Sequence, residues 1–485
     1  MIKLFKTAIC LALLAVMGSC SNFLDENIKN SATPSNFYNT VEQSQAAVNG
    51  IYSVLYDLFT DINFFISAEG ATDLMITNDS RLLTGSFGYS ASTPIAGQNI
   101  WQSSYKGIMY ANNAIQGINN SPLSDTQKKP LLAEAIFLRS LYYYFLTCTF
   151  NDVPYWEEAV TTEEAVQRVQ SLPHTNATTI RNTLMNDLET YAPFLATTSR
   201  GRGTRGAAYA LIARIALFNK NWEKARWATE QVISSGTYTL LADYASASTT
   251  KNGRESVFEI QFTYSPTGTQ RANNIAIYCM PAPKDDAIYD GVDMGSNTAT
   301  TYGTILPTRR LISYYASTDK RKAVVLGYSY NGQEFNRSIN KQLPWLGPKF
   351  WDFTAVNVAS GKNLLFIRYS DVLLMMTEAL IEQDKLTDAK YYWDLVRTRA
   401  GLGGIVVTNQ ATMRNELHIE RGRELVGEYT RRWDIVRWGT FYQDIKSVAL
   451  DYPTAANNVQ PYNLYYPIPA LEIAKNPALV QNPGY

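Results

Sequence analysis

Two stretches of the chain follow one plan, and that plan limits the possible fold more than any other feature. Gly206–Phe218 (GAAYALIARIALF) is an alanine- and leucine-rich run, and a short polar turn leads to a second run, Trp222–Ile233, which stops at Ser234-Ser235-Gly236. Asp371–Gln383, a turn at Asp384–Thr387, and Asp388–Ala400 stopped by Gly401 repeat it. Alanine and leucine favour helix, and glycine just past the last periodic residue ends one. Small residues stand where the helices of each pair approach: Ala213, Ala216 and Ala225 in the first, Ala379 and Ala389 in the second. A hairpin of about 30 residues is close to the tetratricopeptide period of about 34. The predicted class is therefore all-α, mainly helical: tetratricopeptide-like helical hairpins with minor β.

Further helices are predicted over Thr40–Phe59, Trp101–Ile118, Asp125–Phe150, Ala177–Tyr191 and Thr412–Arg437. Between Thr237 and Arg368 the pattern changes: glycine, proline, serine and threonine become frequent, and Val257–Phe262 alternates like a short strand. The segment reads as a loop-rich insertion of about 237–368 between helical pairs. Loops of that length are unusual unless they bind something.

Lys3 and Lys6 precede an apolar run, Ala8–Met17. A run of roughly ten residues fits an export signal and falls short of the about 20 that span a bilayer. It ends Met17-Gly18-Ser19-Cys20, similar to a bacterial lipobox. Residues 1–19 are thus expected to be a lipoprotein signal peptide, Cys20 the acylated first residue, and residues 20–485 the mature body. Each buried CH₂ of an acyl chain contributes about 0.8 kcal/mol, so several chains hold a protein on a membrane durably. No later stretch reads as a transmembrane helix.

Several chemistries are disfavoured. The 43 basic and 43 acidic residues balance and form no basic block, which argues against nucleic acid. Gly201-Arg202-Gly203-Thr204-Arg205-Gly206 matches G-x-G-x-x-G, but Ala196–Arg200 before it is no buried strand, so the dinucleotide fingerprint is incomplete. His174 and His418 stand apart without metal-ligand spacing, and no G-x-S-x-G turn presents a nucleophile. No cofactor and no metal are expected. Cys148 lies in the apolar run Tyr142–Phe150 and reads as a buried thiol; whether it pairs with Cys279 is open. Glu420, Glu424 and Glu428 recur along one helical face, as paired catalytic carboxylates would, but arginines flank them along the same helix. Paired acids stay ionised, so a structural ion-pair network is the expectation rather than a general acid.

Taken in order, these segments resemble one family, the SusD-like (RagB/SusD) outer-membrane nutrient-binding lipoproteins. The resemblance runs through Cys20–Asp25 (CSNFLD), Ala133–Leu146 (AEAIFLRSLYYYFL) with Asn151-Asp152-Val153-Pro154-Tyr155, Ile367–Leu380 (IRYSDVLLMMTEAL) and Val396–Leu402 (VRTRAGL). It continues through Glu420–Trp438 (ERGRELVGEYTRRWDIVRW) and from Tyr466-Pro467-Ile468-Pro469 to Gln481-Asn482-Pro483-Gly484-Tyr485. Asn151 stands where glycine is common in the family, and Ser140 where alanine is usual.

The resemblance implies a lipid-anchored, non-enzymatic protein on the outer-membrane surface. Such a protein passes an oligosaccharide, or in some members a peptide, to a SusC-like TonB-dependent transporter. A surface glycoside hydrolase or lyase is the alternative, and a pure adhesion protein a third reading. The family motifs hold the fold and do not name the site, so site residues are drawn from the loops Asp73–Gln98 and Tyr278–Trp351. Tyr278, Tyr289, Tyr328, Tyr330, Trp345 and Trp351 are candidate stacking faces for sugar rings; Asp73, Asn78 and Arg81 are candidate partners for sugar hydroxyls. Trp101 and Tyr105 are assigned to the core.

Overall fold

The computed structural model describes residues 37–485, apart from 78, 80–82, 94, 266–270, 282, 286–287, 295–297 and 336–342. The signal segment, Cys20, Asn78 and Arg81 lie outside the described residues.

Helix α1 (Val41–Phe59) opens on a capping box: the Thr40 hydroxyl accepts the Gln43 N–H, and the Gln43 side chain accepts the Thr40 N–H. Next come α2 (Ile95–Asn120) and α3 (Asp125–Phe150). Helix α2 starts before the expected Trp101, because Gly97 and the polar Gln98-Asn99 pair blur the apolar period of its first turns. Helix α3 corrects one expectation, since it is long and apolar enough to cross a membrane. In this fold, however, 94% of its most apolar window is buried, which makes it the central core helix. Its polar tips are satisfied inside: Tyr142 Oη donates to the Ile51 carbonyl at 2.8 Å and Tyr143 Oη to that of Trp156 at 2.9 Å.

The pairs continue with α4 (Ala177–Tyr191), α5 (Arg205–Phe218), α6 (Trp222–Ser234), α7 (Tyr369–Glu382), α8 (Leu386–Arg399) and α9 (Gln410–Leu425). From α2 to α8 each helix packs on the next, and α9 packs on α7. Helices α6 and α7 are neighbours although the whole insertion separates them in sequence. The insertion is therefore an excursion from a continuous helical stack. Its neck is closed by two antiparallel strands, β1 (Ser256–Ile260) and β2 (Leu364–Arg368), paired from Leu364↔Ile260 to Arg368↔Ser256. Strand β1 lies within a residue or two of the expected one, and β2 runs directly into α7.

The expected helix Thr412–Arg437 is two helices. Helix α9 ends at Leu425 and α10 spans Arg431–Arg437, with Gly427 at φ 81° and Tyr429 at φ 60° between them. The Phe350 ring packs where a Cβ on Gly427 would sit, 2.3 Å from Cε1, so a side chain there is excluded as well as strained. The break is held from far away. The Glu69 carboxylate accepts the N–H groups of Gly427 (3.1 Å), Thr430 (2.7 Å) and Arg431 (3.1 Å), capturing the open end of α10.

The glycines of the G-x-G-x-x-G run serve packing. A Cβ on Gly203 would lie 2.5 Å from the Phe137 ring, and one on Gly206 2.4 Å from that of Tyr238. Cys148 and Cys279 are both free and buried. The last segment docks on the body: Asn482 donates to the Phe150 and Tyr466 carbonyls, and Tyr485 Oη donates to that of Tyr465.

Candidate functional site

Strand pairing brings the two predicted site loops together. Met75–Thr77, inside the first, lies antiparallel to Ile305–Pro307 in the second, with Met75↔Pro307 and Thr77↔Ile305 in register. Trp345–Leu346 packs close to Ile305–Pro307 and pairs with Leu326–Gly327. Loops that are remote in sequence thus meet on a short-stranded frame, buried at Met75–Thr77 and Ile305, around which the insertion presents its surface.

Aromatic rings occupy that surface in two groups. In the first, Tyr278 and Tyr302 lie 5.0 Å apart, centroid to centroid, at 46°. Their backbones are locked, because the Thr304 N–H donates to the Tyr278 carbonyl and the Tyr302 N–H to that of Ile277, both at 2.9 Å. Trp345 belongs to the neighbouring strand, and its Nε1–H donates to Asp290 Oδ2 at 2.8 Å, which fixes the orientation of the half-buried indole. In the second group, Tyr330 stacks on Phe353 (5.1 Å, 30°), and both meet Trp351 edge-on. Tyr302 (37%), Tyr328 (42%) and Phe353 (37%) expose enough ring to receive a flat apolar face. The Lys322 ammonium lies 5.7 Å from the Tyr328 ring centre.

Beside the second group opens a cleft of about 550 Å³, walled by Trp351, Phe353 and Tyr264. Its polar lining is preset: Asn363 Nδ2 donates to Glu259 at 2.8 Å, and Asp352 accepts the Thr354 N–H at 2.9 Å and the Thr354 hydroxyl at 2.7 Å. A ligand entering here meets apolar rings and polar side chains that are already oriented.

Two sequence expectations are corrected. Asp73 is fully buried, and Arg431 grips its carboxylate through Nε (2.7 Å) and Nη2 (2.6 Å), so it faces no sugar hydroxyl. This pairing and that of Arg310 hold its carboxyl below the usual range against the opposing effect of burial. Trp351 is 4% exposed and its Nε1–H donates to the Leu346 carbonyl at 2.9 Å; it carries the exposed rings rather than offering a face itself. Tyr289 sits on the strand Ile288–Tyr289, and its side chain is outside the described residues. The sequence reading missed Tyr302, Phe353 and Tyr264. The available signal was turn chemistry: Gly303 follows Tyr302 at φ 57°, and Asp352 accepts the Thr354 N–H beside Phe353.

The carboxylates of the densely charged segment are tied down, though not as expected. Glu420 and Glu424 have no exposed surface, and Arg321 from the insertion donates to both, at 2.7 and 2.9 Å. Arg368 of β2 and Arg399 of α8 also bind Glu424, while Lys349 (2.6 Å) and Arg368 (2.7 Å) hold Glu428. Within α9 only Arg423 pairs with one of these glutamates, Glu420 at 3.2 Å, while Asp434 of α10 is held by Arg421 (2.8 Å) and Arg437 (2.7 Å). Surrounded by three guanidinium groups, Glu424 is pushed well below the carboxylate range in spite of its burial. That is the opposite of what a general acid needs. Burial does raise Glu69, to about 7, but with no exposed surface and backbone N–H groups on its oxygens it reaches no substrate bond.

The fold and the ordered motifs agree with known proteins. Residues 345–485 match the SusD family, and residues 22–217 match a family described as "Starch-binding associating with outer membrane". SusD-like protein P25 of Formosa agariphila is 24% identical over 523 aligned positions, covering 96% of this chain and 97% of its own length. Among solved structures, a SusD homolog from Bacteroides thetaiotaomicron superposes with a TM-score of 0.80 at 19% identity, over 93% of this chain and 98% of its own. Surface glycan-binding protein A from Bacteroides uniformis gives 0.75 at 21% identity, over 91% and 99%. Helical stack, buried ion-pair cluster and docked carboxy-terminal segment lie within a likeness that spans nearly the whole chain, and the chain belongs to the SusD family.

Proposed function

We propose that this protein captures an oligosaccharide at the cell surface and passes it, chemically unchanged, to a SusC-like TonB-dependent transporter in the outer membrane. In this reading residues 1–19 direct export, and acylated Cys20 anchors the body of residues 20–485 to that membrane. The family description as starch-binding and outer-membrane-associated supports the glycan and the location, as does the name of the Bacteroides uniformis relative, a surface glycan-binding protein.

The observation that carries the reading is the set of partly exposed rings, Tyr302, Tyr328 and Phe353, borne on segments of the insertion that short strand pairs and ring contacts hold together. Half-buried Tyr278, Trp345 and Tyr330 extend it. The C–H face of a pyranose is apolar and its edge is a ring of hydroxyls, so aromatic platforms beside fixed amides suit it. The rings are held by backbone and side-chain hydrogen bonds before any ligand arrives, which lowers the ordering entropy of binding. The acids in the charged cluster are ion-paired and buried, which favours capture over cleavage.

The fate of the ligand tests the proposal. The purified protein is incubated with a glycan panel, and bound and free saccharide are sized by mass spectrometry. Capture requires that bound glycan be recovered at its starting mass. Shortened or unsaturated products would establish a hydrolase or lyase instead.

A further inference from the structure

The loop Thr198–Thr204, which contains the start of the G-x-G-x-x-G run, lines a second cleft, of about 310 Å³. The opposite wall is the segment 252–259, and Glu259 lines both this cleft and the larger one. Three guanidinium-bearing residues line it: Arg200, Arg202 and Arg254. Arg202 is committed elsewhere, donating to Glu134 Oε2 and to Asn49 Oδ1, each at 2.8 Å. Arg200 and Arg254 are exposed and make no ion pair or side-chain hydrogen bond with any described residue.

The one acid in the lining forms no ion pair with either of them. Glu259 is 4% exposed, and its two oxygens already accept the Asn252 N–H, at 3.1 Å each, and Asn363 Nδ2 at 2.8 Å. The cleft therefore keeps two guanidinium groups without a direct ion-pair partner among the described residues, in a chain whose formal net charge is zero. The hydroxyl-bearing Thr198 and Ser199 precede Arg200 in the same wall. A neutral sugar gains little from a free guanidinium, whereas an oxyanion that presents two oxygens, a carboxylate or a sulfate ester, matches its fork of N–H donors.

We infer that the Arg200–Arg254 cleft binds an oxyanion carried by an oligosaccharide, either a uronate carboxylate or a sulfate ester. The inference rests on the saccharide reading above and narrows it to acidic glycans. It separates two duties: the aromatic surface receives sugar rings, and the arginine cleft selects for charge.

Calorimetric titration of the full chain tests it with four probes: a uronate oligosaccharide, a sulfated oligosaccharide, the desulfated counterpart of the latter, and inorganic sulfate. The second protein is the Arg200→Ala/Arg254→Ala variant, whose exposed positions leave the melting curve unchanged. At least one acidic oligosaccharide is expected to bind the parent and to bind the variant about tenfold or more weakly, a gap that closes in about 0.5 M salt. The desulfated counterpart is expected to bind both proteins equally. Failure of both acidic oligosaccharides to bind the parent more tightly than the desulfated form, or no change in the variant, would overturn the inference. So would inorganic sulfate binding as tightly as the acidic saccharide, which marks a site for free anions. Neutral binding without acidic preference removes this inference alone; absence of all saccharide binding removes the underlying reading too.

Discussion

Arg368 and Glu428 meet at 2.7 Å, Nε to carboxylate, although 60 residues separate them in sequence. The contact joins the end of β2, where the insertion returns to the helical body, to the break between α9 and α10. Arg368 also reaches Glu255, at 2.7 Å, just before β1 where the insertion leaves the body. One guanidinium thus ties both ends of the excursion to the carboxy-terminal helices. The charged cluster is the clamp that sets the ligand-facing insertion on its scaffold.

Removing one partner from such a clamp leaves a buried charge unpaired. Glu424→Gln is expected to lower unfolding free energy by about 3–5 kcal/mol in a denaturant titration. Asp57→Asn, which breaks the half-exposed Lys106–Asp57 pair at 3.0 Å, should change it by less than about 1 kcal/mol. The pH dependence follows from the depressed carboxyl of Glu424. Its contribution is complete above the ordinary glutamate value of about 4.3 and is lost as pH falls toward the folded value. Below about pH 4 the parent should therefore lose stability more steeply than Glu424→Gln.

The sequence made local features legible and hid distant ones. Helices α3 and α4 have the expected bounds because apolar runs and local caps define them: Gln127 accepts the Ser124 N–H, and Asn176 the Thr178 and Thr179 N–H groups. The break after Leu425 was not legible, since what stabilises it is Glu69, more than 350 positions earlier. Asp73 looked like a loop carboxylate open to ligand for the same reason, its partner Arg431 lying 358 positions on. The ion-pair reading of Glu420 and Glu424 was right in kind, but all their partners except Arg423 came from β2, α8 and the insertion rather than the same helix.

Glu69 gives a pH effect of opposite sign. Its folded carboxyl is raised to about 7 because burial outweighs the backbone N–H groups that favour the anion. Folding then favours the protonated form, so the contribution is fullest below about pH 4.3 and declines as pH rises toward 7. Glu69→Gln keeps one acceptor oxygen for the α10 amides and cannot ionise. Its melting temperature should be nearly flat between pH 5 and about 7.5, where the parent's component falls. Parallel profiles for the two proteins would contradict this assignment.

Trp351 and Tyr328 should separate scaffold from platform. Trp351 is packed against Tyr330, Phe335 and Phe353, so Trp351→Ala is expected to lower stability by about 3–5 kcal/mol. Tyr328, 42% exposed, should tolerate alanine within about 0.5 kcal/mol. Chemical denaturation of both variants checks the contrast.

The anchor is tested in cells. With Cys20→Ala the mature protein should leave the membrane fraction and stay folded, because that position precedes the helical body by some twenty residues. Fractionation in a strain lacking the transporter removes retention through a partner. Membrane association that persists there would exclude acylation as the anchor.

The central claim, saccharide capture on the aromatic surface of the insertion, is met most directly by calorimetric titration of the parent, Tyr302→Ala and Trp345→Ala with the glycan that binds best. Each variant loses one stacking face among several, so affinity is expected to fall by about 1–3 kcal/mol, by analogy with bases stacked on aromatic side chains. The melting curve of Tyr302→Ala should match that of the parent. Parent-like affinity in both folded variants would contradict the account and move the site off this surface.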